Sequence, residues 1–211
     1  NDGLESLETF VSPASGGNGI LYDPWSNTAY AGDNTSHGLR IKLQSQQLLV
    51  AVFQKDTTEK LPRFHYEEPK FHELPLRYDI YISEAPEEQF RLLRSQSEPV
   101  NLLIEEKLTR TCAQFRYDSS FQWDDTPVSW LQIPHAGDCA ELWLNGIYCG
   151  LSLGPVCRFK IEGKLRKGKN VLSIHTADNP AYFDRDMKDG FVYGTKLPLA
   201  MHGFYGPIQI G

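Results

Sequence analysis

The chain has 211 residues, with 27 acidic against 21 basic side chains and a formal net charge of -6. That length allows one large or two small domains with cores of their own, and the charge leaves no basic footprint for nucleic acid. No apolar run approaches the ~18 residues of a membrane span; the longest is LLVAVF at residues 48–53. The opening NDGLESLETF has neither Met nor an apolar leader and reads as a processed or excised chain, which leaves the compartment (secreted, periplasmic or cytoplasmic) open.

Residues 1–19 are expected as an N-terminal tail. Residues 20–54 form a small β unit: ILY, a turn at DPWSN, TAYAG, a polar loop, LRIKLQ alternating in and out, and LLVAVFQ as a buried strand. Residues 55–75 are charged and rich in proline, and are expected as a linker over the surface. Residues 76–211 form a second, larger unit. Its predicted strands are RYDIYIS, VNLLIEE, AQFRYDSSFQW, VSWLQIP, AELWLN, IYCGLSL, CRFKIE and NVLSIHTA, with one short helix at PEEQFRLLRSQ, residues 86–96. Short alternating segments at this spacing, without long helical periodicity, predict an all-β chain: a small antiparallel sandwich unit followed by a larger sandwich or jelly roll. Residues 178–206, rich in Gly, Pro, Asp and aromatics, read as a long ordered loop before a final strand GPIQI.

AELWLNGIYCG, residues 140–150, is the clearest local signal. Asn145-Gly146 suits a type I′ turn, whose two central residues need positive φ. That turn predicts Leu144 opposite Ile147, Trp143 opposite Tyr148 and Leu142 opposite Cys149. Ala140, Leu142, Leu144, Ile147 and Cys149 then make a core face, and Glu141, Trp143, Asn145 and Tyr148 a face with two aromatics beside polar groups. The cysteines at 112, 139, 149 and 157 lack the paired spacing of a zinc site. The hairpin register also sets Cys139 and Cys149 on opposite faces, which disfavours a disulfide between them, and four buried thiols are expected.

The run AELWLNGIYCGLSLGPVCRFKIEGKLRKGKNVLSIHTADN closely resembles the sugar-binding domain of glycoside hydrolase family 2, a galactose-binding-like jelly roll. That domain's pattern is an A-x-x-W/Y-x-N-G hairpin, a G-x-x-x-G-P-like step, a strand, and K-x-G-x-N-x-L. CAQFRYDSSFQW is similar to an early strand of the same fold. LPLAMHGFYGPIQI looks like its closing G-x-x-G-P-V-x-L segment, in a form also found toward the C-terminal end of α-L-rhamnosidase-type hydrolases. The likeness covers roughly residues 109–210, with a weaker one over 20–54 to the small sandwich that follows a catalytic barrel in such enzymes. It implies the C-terminal part of a larger hydrolase, partnered by carbohydrate and by the parent's catalytic domain, with no nucleic acid or membrane partner.

Catalytic chemistry is not expected of this chain. A retaining glycosidase needs two carboxyls about 5–5.5 Å apart. The resembling family places them on a barrel of about 250 residues, which this chain lacks. Adjacent pairs such as Glu67-Glu68 and Glu105-Glu106, read as strand residues, point to opposite faces. No nucleophile elbow, phosphate loop, zinc-protease or dinucleotide motif is present, and nothing in the sequence brings His135, His175 or His202 to a Ser and an Asp. DRDMKDG offers Asp184, Asp186 and Asp189 as ligands for a structural calcium, as some family jelly rolls hold, although the spacing departs from an EF-hand and a solvated acidic loop is the simpler reading. No other cofactor is expected.

The carbohydrate-binding candidates are Asn179, Tyr182, Phe183, Tyr193, His202, Phe204 and Tyr205 in the tail, with Trp143 and Tyr148 from the hairpin, since sugars are held by ring faces and fixed polar groups. Trp25, Trp123 and Trp130 are expected in the core or between units. The sequon Asn34-Thr35-Ser36 matters only in a eukaryotic secretory setting. The reading is thus a non-catalytic carbohydrate-binding or accessory region of a glycoside hydrolase acting in polysaccharide degradation. The alternative is a structural docking module whose aromatics cover the sandwich end.

Overall fold

The structure is a computed structural model that describes residues 5–13, 16–24, 27–44, 47–55, 60–64, 69–84, 89–108, 112–154, 156–177 and 202–211. It divides into two compact units, Asn1–Glu68 and Pro69–Gly211.

The first unit contains β1 (Leu7–Val11), β2 (Asn18–Asp23), β3 (Thr28–Ala31), β4 (Asp33–Thr35), β5 (Gly38–Leu43) and β6 (Val50–Gln54). They form two antiparallel three-stranded sheets, ordered β1-β5-β4 and β3-β2-β6. Strand alternation turns Leu39 and Ile41 of β5 into a small core with Leu21, leaving Arg40 and Lys42 on the other side of the strand. Two expectations are corrected here. Residues 7–11, assigned to a tail, form a strand because their backbone completes the ladder on β5. Residues 50–54 are not buried: β6 closes one side of its sheet and leaves Val50 and Val52 42% and 46% exposed.

The second unit contains β7 (His72–Leu74), β8 (Tyr78–Glu84), β9 (Arg91–Gln96), α1 (Leu102–Glu105), β10 (Ala113–Trp123), β11 (Trp130–Ile133), β12 (Cys139–Leu144), β13 (Ile147–Leu153), β14 (Cys157–Lys160), β15 (Gly168–Ala177) and β16 (Ile208–Ile210). A six-stranded sheet, β13-β12-β15-β10-β8-β9, and a four-stranded sheet, β14-β11-β16-β7, contribute to one core. Tyr78, Ile80 and Ile82 of β8, Phe115 and Tyr117 of β10, and Leu142 and Leu144 of β12 meet Leu131, Ile133, Phe159 and Ile208 from the other sheet. The chain is all-β, an antiparallel sandwich.

The helix and strand expected between residues 86 and 106 exchange places. RLLRSQ is strand β9, and its adjacent leucines arise from an irregularity in the ladder rather than from a helical face. Ile80 lies opposite Arg94 and Tyr81 opposite Leu92, so Leu93 is an extra residue. The bulge lets Leu93 pack on the core while Leu92 stays 56% exposed. Downstream, Asn101 accepts a hydrogen bond from the Leu103 N–H with its side chain and caps the short helix α1, which buries Leu102 and Leu103.

In the hairpin, Asn145 and Gly146 have φ of 55° and 79°, as a type I′ turn requires. Trp143 pairs with Tyr148 and Leu144 with Ile147, as the turn dictates, but Leu142 pairs with Gly150. Cys149 is the bulged residue, which corrects the expected Leu142–Cys149 pairing. No cysteine forms a disulfide, but only Cys157 is buried, which corrects the expectation of four buried thiols; burial pushes the Cys157 thiol up to about 12.

The turn is fastened to the start of β15 by two asparagines. Asn145 Nδ2 donates to Asn170 Oδ1 at 2.8 Å and to the Lys164 carbonyl at 3.0 Å, while its Oδ1 accepts from Val171 N at 3.0 Å. Asn170 is fully buried. Its Nδ2 donates to the carbonyls of Arg166 and Gly168 at 2.7 and 3.0 Å, and its Oδ1 also accepts from Arg166 N at 3.1 Å. Asn170→Ala leaves these buried groups unpaired and is expected to cost at least about 1–3 kcal/mol, read from urea unfolding. At Gly146 a Cβ would meet nothing within 4 Å, so Gly146→Val tests backbone conformation alone. It should destabilise by roughly 1–2 kcal/mol in the same assay, whereas unchanged stability would contradict the turn type.

Candidate functional site

With the core face of the six-stranded sheet occupied, the alternate residues of its strands share the outer face. The register aligns them in two rows. One runs Leu151, Glu141, His175, Arg116, Tyr81 and Leu92; the other runs Tyr148, Trp143, Ser173, Asp118, Asp79 and Ser95. Each row draws one residue from every strand of the sheet.

The rows carry one contiguous set of rings and polar groups. The Trp143 ring lies 5.0 Å from that of Tyr148 and 4.4 Å from that of His175, and Phe90 lies 6.0 Å beyond His175. Arg116 sits 4.3 Å over the Tyr81 ring and 5.0 Å from the Phe90 ring, a cation–π arrangement that holds its guanidinium in place. Its Nε donates to Asp118 Oδ2 at 3.0 Å, and Ser173 Oγ donates to Asp118 Oδ1 at 2.6 Å. Tyr148, half exposed, donates its hydroxyl to Glu141 Oε1 at 3.0 Å. Desolvation first and the Glu141 carboxylate second raise the Tyr148 phenol above its ordinary value. Desolvation chiefly, then the charge of Arg116, lowers His175, outweighing Asp118 and Glu141. The result is a neutral imidazole beside an indole, with hydroxyls and carboxylates oriented around them. This suits recognition of a polyhydroxylated ligand with an apolar face.

The expected site residues divide. Trp143 and Tyr148 come together on this face. His202 and Phe204 do not join them, because both are fully buried. Phe204 lies 4.4 Å from the Tyr117 ring and 5.8 Å from the Tyr78 ring, and His202 Nε2 lies 2.9 Å from the Leu108 carbonyl. Between them Gly203, at φ 73°, has no room for a Cβ against the Tyr117 hydroxyl. These residues serve packing, so neither ring offers a face to a ligand. Tyr205 is 40% exposed and stacks on His135 at 4.6 Å. Asn179, Tyr182, Phe183, Tyr193 and the calcium candidates Asp184, Asp186 and Asp189 lie outside the described residues. Among the described residues no cluster of three metal-type ligands occurs.

His175, Arg116, Asp118, Ser173, Tyr81 and Phe90 were not among the expected site residues. The period-2 alternation of NVLSIHTA and AQFRYDSSFQW already groups Ser173 with His175 and Arg116 with Asp118, but only the strand order joins the two pairs.

No protein-family profile matches the chain, and no curated protein does. Among solved structures, it is similar to a rhamnosidase from Novosphingobium sp. PP1Y, with TM-score 0.60 and 17% identity over 98% of this chain and 22% of that one. It is also similar to a β-D-mannosidase from Dictyoglomus thermophilum, with TM-score 0.45 and 13% identity over 68% of this chain and 22% of that one. The chain thus spans 22% of the length of each. Likeness at this identity concerns the fold: an all-β arrangement that also occurs within glycoside hydrolases.

The lowered His175 value fixes a sign. Between the folded value and the ordinary 6.5, the unfolded chain binds more protons. His175 therefore contributes stability at neutral pH that is lost as pH falls through 6.5. The unfolding free energy of wild type should fall relative to His175→Gln as denaturant melts are carried from neutral to acidic pH. A difference independent of pH would mean that the ring titrates normally.

Proposed function

We propose that this chain is a non-catalytic accessory β-sandwich region of a glycoside hydrolase, and that the outer face of its six-stranded sheet contacts carbohydrate. The observation that carries the reading is the Trp143–Tyr148–His175 ring set, in which Tyr148 is exposed and Trp143 and His175 are partly buried, bordered by Glu141, Ser173 and Asp118. The fold likeness to the rhamnosidase, over nearly all of this chain and a fifth of that enzyme, supports the placement within a larger carbohydrate-degrading protein. The A-x-x-W-x-N-G hairpin and the R-x-G-x-N-x-L turn, with Arg166 where the family pattern has Lys, are joined by the Asn145–Asn170 pair and support the finer reading of a jelly roll akin to the family 2 sugar-binding domain. A structural calcium at Asp184, Asp186 and Asp189 belongs to that finer reading.

A second reading has its own observation. Leu151, Leu153 and Val171 are 46%, 51% and 46% exposed, and the register sets them on the same side as Trp143. Exposed apolar residues on the face that also carries Trp143 suit docking against another domain.

A glycan-array screen of the chain followed by calorimetry distinguishes the two. On the proposed function, neutral oligosaccharides bind at millimolar to micromolar Kd, roughly -4 to -8 kcal/mol for one shallow site. Trp143→Ala then weakens binding by about tenfold or more. Absence of binding to every glycan, with Trp143→Ala indistinguishable from wild type, would favour the docking module.

A further inference from the structure

We propose that the first unit holds a second, separate ligand site selective for carboxylate-bearing sugar rings such as uronates. The site is a cleft of about 710 Å³ lined by Leu21, Ala31, Gly32, Asp33, Asn34, Arg40, Lys42, Arg63 and Phe64. Its charged lining is Arg40, Lys42 and Arg63 against Asp33, with Arg40 also ion-paired to Glu8, within a chain whose net charge is -6. Clustering of one sign in a concave surface focuses the field and attracts the opposite charge.

The cleft is constructed by backbone pairing. Ala31 N donates to the Pro62 carbonyl at 2.8 Å, and Ala31 and Arg63 form a parallel bridge, which fixes Arg63 and Phe64 against the end of β3. Phe64 meets the Tyr30 ring edge-on at 5.3 Å and packs on the Leu21 core, so its position is set from below. On the other wall, β5 presents Arg40 and Lys42 two residues apart on one side of the strand. Arg40 is held there by Glu8 at 2.6 Å, with Asp33 at 3.8 Å. Asn34 is locked by hydrogen bonds with Gly19 N and O at 2.7 and 3.0 Å. A partly buried phenyl ring and an aliphatic floor beside the Arg40, Lys42 and Arg63 cations match a ring with an apolar C–H face and an anionic substituent. A neutral hexose satisfies only half of that lining.

The choice of a sugar among carboxylates rests on the proposed carbohydrate function; the cleft itself is independent of the sheet face that function uses. The test is calorimetry of the full chain with a galacturonate trisaccharide, with the same trisaccharide after reduction of its carboxyls to neutral galactose, and with acetate. The acidic trisaccharide should bind about tenfold or more tighter than the reduced one, with a gap that narrows at high salt. Arg63→Glu, at an exposed position, should abolish the gap and Arg63→Lys should retain it. Equal affinity for the two trisaccharides, a gap that survives Arg63→Glu, or acetate binding as tightly as galacturonate would each overturn the inference. Failure here with Trp143-dependent binding of the neutral sugar intact would leave the proposed function standing. Loss of that neutral binding with an Arg63-dependent gap preserved would remove the sheet face alone.

Discussion

The second unit depends on a hydrogen-bonded pair of side chains, Asn145 and Asn170. A two-residue turn sets only the local register of β12 and β13. The β12–β15 ladder seats that hairpin on β15, and at the turn end it is pinned by amide hydrogen bonds between the turn and the start of β15 with its preceding loop, each donor and acceptor spent on a backbone group or on the other asparagine. A fully satisfied polar network in a buried place has little tolerance for a shifted arrangement. Sliding β15 by one residue would turn Leu172 and Ile174 outward and His175 inward, besides breaking the pair.

That register is also what makes the outer face. Trp143, His175 and Arg116 belong to three strands and become neighbours only because each strand is held in phase with the next. The bulges at Cys149 and Leu93 work in the same direction. Each inserts one residue so that the aromatic or apolar side chains beyond it return to the correct side of the sheet. The site's geometry is therefore a property of the sheet, and its side chains add orientation through Asp118, Glu141 and the stacking of Arg116.

Much of the fold was legible because its signals are local. AQFRYDSSFQW alternates over its whole length and is strand β10; Asn145-Gly146 announces its turn; the all-β class follows from segment length alone. Residues 86–106 were misread for a reason equally local in scale: a bulge makes Leu92-Leu93 look helical, and an asparagine cap turns VNLLIEE into a helix start. For the site, the aromatic pair across the turn was visible, since its partners are five residues apart. His175 and Arg116 were not, because cross-strand pairing between distant segments leaves no mark in either segment. His202 and Phe204 mislead differently: composition marks a segment as aromatic without saying which rings face inward.

The placement of β16 carries a consequence for how the molecule is made. Ile208–Ile210 do not close the four-stranded sheet from outside; they lie between β11 and β7, bonding to both. As the chain leaves the ribosome, β7 therefore waits through the synthesis of nearly the whole unit before its only sheet partner among the described residues arrives. Among the described residues, the strands of the first unit all lie within 7–54. Folding is thus ordered in time, with an early small sandwich and a late, high-contact-order one.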